Sequence, residues 1–136
     1  MSARTKARKR ALDLLFQADV RGDEPGVILA AEAKRAPSEP ARETSWLYAR
    51  EIVDGVIDHR DEIDEQITSA ARDWKIERMP AVDRAILRIG IWEILYNDEV
   101  PAAVAIDEAV TLVKEFSSDE SGPFVNGVLG RVARTV

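Results

Sequence analysis

The stretch AVDRAILRIGIWEILY, Ala81 to Tyr96, constrains the fold more than any other part of the chain. Wound as a helix at about 100° per residue, its apolar side chains do not fall on one stripe. Val82, Ile86 and Ile89 point one way, Leu87, Gly90 and Ile91 another, and Ala85, Trp92 and Leu95 a third. A helix that is apolar on nearly every side is a buried helix. Asp83, Arg84, Arg88 and Glu93 make it too charged, and its length too short, to cross a bilayer, which takes about 20 mostly apolar residues. It is therefore expected to be the central post of a helical protein, opened by Pro80 and closed before Pro101.

The other segments must wrap that post. A chain of 136 residues is expected to form one domain, 1–136, and to bury roughly two-thirds of its unfolded surface. Ala3 to Val20 reads as a helix whose Ala7, Ala11, Leu14, Leu15 and Ala18 face the post, with Leu12, Phe16 and Val20 in a second row. Gly22 to Gly26 is a turn with Asp23 as the expected N-cap, and a short helix follows from Pro25 to Arg35. Pro37-Ser38-Glu39-Pro40 breaks regular structure and reads as a mobile loop. From Thr44 or Ser45 to Trp74, the residues Ala49, Ile52, Val53, Val56, Ile63, Ile67, Ala70 and Trp74 form one apolar seam. A single helix there would be about 45 Å long at 1.5 Å per residue, so a break is expected near Gly55 and Asp58 to Asp61, with Asp58 capping the second piece. After the post, Pro101 opens a helix that buries Val104, Ala105, Ala109, Leu112, Val113 and Phe116, and Pro123 opens the last. Gly127 and Gly130 in that last helix point either to close packing on the post or to a surface for a partner. No stretch alternates long enough to be a strand. The expected class is all-α: a bundle of about seven helices around a buried central one.

Charge divides the chain unevenly. Residues 1–10 hold Arg4, Lys6, Arg8, Lys9 and Arg10 and no acid, so the remaining residues carry −11 against the chain's −6. Cations at a helix N-terminus oppose its dipole, so fold stability gives no reason to gather them there. A frayed, solvated end and a polyanion-binding arm are the two readings, and five cations without an acid favour the arm. With no cysteine there is neither a thiolate nucleophile nor a cysteine metal cage, and no phosphate-binding glycine loop or two-histidine metal motif is present. His59, the lone histidine, reads as structural. No carboxylate pair is singled out as an acid and a base. The expectation is thus a protein that is not an enzyme, binds no cofactor or metal, crosses no membrane and resides in the cytoplasm.

Three segments read together resemble the transcription antitermination factor NusB family: SARTKARKRALDLLFQADV, PAVDRAILRIGIWEILY and VPAAVAIDEAVTLVKEFSSDESGPFVNGVLGRV. DRAILR, IDEAV and FVNGVL carry most of the likeness; the Gly22 to Glu43 region carries least. The resemblance implies an all-helical domain of two packed sub-bundles. It also implies binding of the boxA element, a single-stranded RNA in ribosomal RNA transcripts, together with a small-subunit ribosomal protein (NusE), and entry into the RNA polymerase antitermination complex. On the matching positions it places RNA contacts at Arg4, Lys6 and Arg8, with Lys9 and Arg10 beside them, and at Phe16, Asp119, Glu120 and Phe124. Asp83, at the start of the post, would face the ribosomal protein. Cations on phosphates and aromatic rings on bases are the usual grip on single-stranded RNA, although Phe16 and Phe124 read equally well as core residues. Asp119 and Glu120 repel phosphate and could only accept hydrogen bonds from bases or lower the affinity. Family members occur as monomers and as dimers, and the second row, Leu12/Phe16/Val20, favours a homodimer that would compete with RNA. A related domain is attached to RNA cytosine methyltransferases, but their cysteine nucleophile and cofactor domain have no counterpart here. The stronger rival is a protein-interaction adaptor without direct RNA contact.

Overall fold

The structure, a computed structural model, describes residues 2–35 and 40–136, and the side chains of all of these except 33–35 and 40–43. Among the described residues there are seven α-helices and no strand: α1 (Ala3–Arg21), α2 (Pro25–Arg35), α3 (Pro40–Asp58), α4 (Arg60–Ala70), α5 (Ala81–Tyr96), α6 (Ala102–Phe116) and α7 (Ser121–Arg134). A 3₁₀ turn, Ile76–Arg78, leads from α4 into α5.

α5 is the post. From Ala85 to Glu93 every residue is buried, and α1, α3, α4, α6 and α7 all pack on it. Helices α1, α2 and α3 pack on one another on one side of it; α4, α6 and α7 close the other side. The helix starts follow from local chemistry. Ser2 caps α1 by accepting the Thr5 N–H at 3.1 Å, one of the donors a helix start leaves unsatisfied. Gly22 ends α1 at φ 71°, and the Asp23 N–H reaches back to the Ala18 carbonyl at the end of α1, while α2 begins two residues on at Pro25. Two glycines allow the helices to approach closely. A β-carbon at Gly55 of α3 would collide with the Trp92 indole, and one at Gly90 would sit 2.8 Å from Leu129.

Several sequence expectations change. Gly55 lies inside α3, beneath Trp92, and does not break it; the break falls at His59. Asp58 belongs to α3 and does not cap α4, whose first residue follows His59 without a side-chain cap. The His59 ring instead stacks on Tyr96, with centroids 3.8 Å apart, a structural role as read from sequence. The seam from Ala49 to Ala70 is buried, but Trp74 lies past the end of α4 and is 53% exposed. Val104 and Phe116 also face outward, the latter 47% exposed. α3 begins at Pro40, ahead of the expected Thr44, while the expected loop at Pro37-Ser38-Glu39 lies outside the described residues. In the second row of α1, Leu12 is buried within the chain, Phe16 is half-buried and only Val20 is well exposed. The row is therefore largely covered within the chain itself, Val20 excepted.

Candidate nucleic-acid interface

The cationic end of α1 is a helix, and it lies along a row of carboxylates on α5, α6 and the turn between them. Arg8 is buried, which corrects its place on an exposed arm. Its guanidinium donates to both Glu93 oxygens (2.9 and 3.1 Å from Nε, 2.9 Å from Nη2) and lies 3.3 Å from Glu108. Tyr48 donates to Glu93 as well, and Asn97 donates to the Tyr48 hydroxyl at 3.0 Å. Burial works to lower the Arg8 pKa, but the hydrogen bond and charge of Glu93, with Glu108 behind, outweigh it and hold the pKa above its ordinary value. Burial, and then donation to the Glu93 carboxylate, push the Tyr48 pKa up, so this hydroxyl stays protonated. Arg8 is thus a permanent cation committed to the core.

Its neighbours are shared out by exposure. Arg4 pairs with Glu99 at 2.9 Å and lies over the Tyr48 ring, and Lys9 pairs with Glu115 at 3.1 Å and lies over Phe116. Thr5 donates to Glu108 at 2.9 Å. Lys6 and Arg10 form no ion pair among the described residues. The first turns of α1 are therefore tied down by acids from the post and α6, and that is the stability reason the sequence alone did not offer.

The second part of the region lies around the start of α7. Asp119 and Glu120 are exposed in the turn before it. Phe124 is half-buried in α7 and meets Trp74 with ring centroids 6.1 Å apart and planes tilted by 52°. Between them and the start of α5 lies a groove of about 390 Å³ lined by Trp74, Phe124, Asp83 and Glu120. Asp83 is 2% exposed and not on an open edge of the post, as its role towards a partner required. One carboxylate oxygen accepts from Ser121 at 2.8 Å; the other is buried without a hydrogen-bond partner among the described residues. Asp83 therefore ties the start of α7 to the start of α5. Phe16 stands apart from this groove, half-buried on α1.

Sequence reasoning placed both Trp74 and Phe116 in the core and so missed two exposed rings. The one available signal for Phe116 was its place at the end of α6, beside the polar loop Ser117 to Ser121. Nothing local marked Trp74, because the apolar seam runs straight up to it.

Among the described residues no group of His, Asp or Glu could hold a metal ion, and no helix is long and apolar enough to cross a membrane. What the geometry defines is an all-helical scaffold that displays a partly neutralised cationic helix end and a pair of exposed rings, a class suited to binding. Comparison with known proteins narrows it. The model of the NusB family matches residues 5–134. The transcription antitermination protein NusB of Leifsonia xyli subsp. xyli is 66% identical over 134 residues, spanning 98% of this chain and 93% of the relative. That of Clavibacter sepedonicus is 60% identical over 133 residues, spanning 98% and 97%. Among solved structures, a crystal structure of antitermination factors NusB and NusE in complex with dsRNA aligns at a TM-score of 0.82 and 31% identity, covering 100% of this chain and 99% of that one. T. maritima NusB aligns at 0.82 and 29% identity, covering 98% and 92%. The chain belongs to the NusB family.

Proposed function

We propose that the chain, acting from 1 to 136 as one unit, is a cytoplasmic transcription antitermination factor that binds boxA RNA of ribosomal RNA transcripts. It does so with the small-subunit ribosomal protein NusE and joins the RNA polymerase antitermination complex. The observation that supports this most is the end-to-end likeness to a NusB that is solved with NusE and dsRNA. The residues divide the work by availability. Lys6 and Arg10, without an ion pair among the described residues, attract phosphates first. Arg4 and Lys9 join by exchanging Glu99 and Glu115 for phosphate, a modest cost because such surface pairs are individually weak. Phe124 and Phe16 offer ring surface to bases, and Asp119 and Glu120 accept hydrogen bonds from base amino groups rather than meeting phosphate. Arg8 takes no part in phosphate binding. Asp83 serves the ribosomal protein indirectly, by holding Ser121 and the start of α7 in place. The role is one of binding, not catalysis.

Titration of a boxA RNA onto the chain, with and without the ribosomal protein and across a range of salt, tests this reading. Binding that tightens with the ribosomal protein and weakens steeply with salt is expected. Retention of the ribosomal protein with no RNA contact under any condition would replace the reading with that of a protein-interaction adaptor.

A further inference from the structure

Away from α1, a second cationic cluster forms where the ends of α4 and α7 meet. Arg72, Arg131 and Arg134 line a concave site of about 280 Å³ together with Gln66, Ser69 and Thr135. Arg131 donates to the Ala70 carbonyl at 2.8 Å and so caps the end of α4. Capping accounts for that one guanidinium. Arg72 and Arg134 are exposed, and among the described residues neither forms an ion pair or a hydrogen bond. Asp73, the adjacent acid in the chain, pairs with none of the three. In a chain with net charge −6, three guanidinium groups share one concavity with no carboxylate among the described residues that line it. Arg72 also holds a φ of 31°, which residues other than glycine rarely adopt.

The glycines of α7 point the same way. A β-carbon at Gly127 would meet only the Arg131 guanidinium, at 3.9 and 4.0 Å, and one at Gly130 only Arg134, at 3.6 Å. Among the described residues neither glycine meets another helix, unlike Gly55 and Gly90. Each weakens α7 and leaves a bare strip of helix along which the arginine four residues later folds back. Phe124, Gly127, Arg131 and Arg134 follow one another along one side of α7, with Arg131 roughly 10 Å beyond Phe124 at 1.5 Å per residue. The strip therefore begins at the Trp74–Phe124 ring pair and ends at the cluster.

We propose that Arg72, Arg131 and Arg134, over the glycine strip of α7, form a phosphate track that holds the backbone of single-stranded RNA running on from the Trp74–Phe124 rings. This rests on the RNA-binding reading given above and extends the bound length of the strand. A nucleic-acid backbone fits better than an acidic protein. The track is continuous with the exposed Trp74 ring and the half-buried Phe124 ring, which offer stacking faces, and its arginines present forked donors of the geometry phosphate takes.

The test compares a boxA RNA with the same RNA extended at both ends by uridines, bound by the wild-type full chain and by Arg72→Ala/Arg134→Ala. Arg131 is left intact because it caps α4, and circular dichroism verifies that the variant keeps its helices. For the extended RNA, the slope of log affinity against log salt should flatten by about 1.4 in the variant, about 0.7 for each lost contact. For the short RNA the slope should not change. Equal slopes for variant and wild type on the extended RNA would overturn the track. So would a loss of the same size on the short RNA, which would place the cluster within the core site. Loss of ribosomal-protein binding with unchanged RNA slopes would assign the cluster to a protein and also overturn it. A wild type that binds neither RNA would overturn the RNA-binding reading itself, and the track with it.

Discussion

The two cationic regions of this molecule differ in what surrounds them more than in how many charges they hold. At the start of α1, five cations crowd the sequence, yet Arg8 is buried against Glu93 and Arg4 and Lys9 are paired with surface acids. At the ends of α4 and α7, three arginines scattered over more than sixty positions converge with no carboxylate among the described residues that line the site. Density along the chain thus overstates the charge available at the first region and conceals it at the second. Availability is set by the acids that folding brings near, and at the first region the critical one, Glu93, is 85 residues from its partner.

The contrast can be broken most forcefully at Arg8. Arg8→Ala leaves Glu93 charged and buried, and should cost about 3–5 kcal/mol of stability, read from the urea midpoint. Arg8→Met with Glu93→Leu should recover most of that loss, because neither charge then needs a partner. A stability change within error for Arg8→Ala would mean that the pair is not the lock the structure shows.

The glycines sharpen the comparison at intermediate size. Gly55→Ala must displace the Trp92 indole and should destabilise by about 1–3 kcal/mol. Gly127→Ala, with only ordinary contact to Arg131, should stabilise by about 0.5–1 kcal/mol. Thermal unfolding of the two variants should therefore move in opposite directions, and a shared direction would remove the distinction between packing glycines and surface glycines.

Within α1, Lys6→Ala/Arg10→Ala should flatten the salt dependence of RNA binding by about 1.4 and leave the unfolding temperature nearly unchanged. Arg8→Ala should do the reverse at any temperature where it stays folded. The smallest effect is expected at Arg4 and Glu99, an exposed pair whose coupling in a double-mutant cycle should be below about 1 kcal/mol. A larger coupling would mean that releasing Arg4 to phosphate is costly and would take it out of the binding set.

The sequence by itself determined the post, because a helix apolar on every side has no stable place except the interior. It also determined most helix limits, since Pro25, Gly22, Pro80 and Pro101 act on the backbone within a residue or two of themselves. The all-α class followed from those two facts, and the motifs around Asp83 and Phe124 were enough to point to the family. Tertiary structure alone decided which charged and aromatic residues face water. Arg8 and Asp83 look like surface groups in the chain but are buried, because Glu93 and Ser121 arrive from distant segments to satisfy them. Trp74 and Phe116 continue apolar patterns yet emerge, Trp74 because α4 ends at Ala70, before it, and Phe116 because it is the last residue of α6. Periodicity reports which side of a helix is apolar; whether another element covers that side depends on contacts between residues far apart in the chain, which no local pattern encodes.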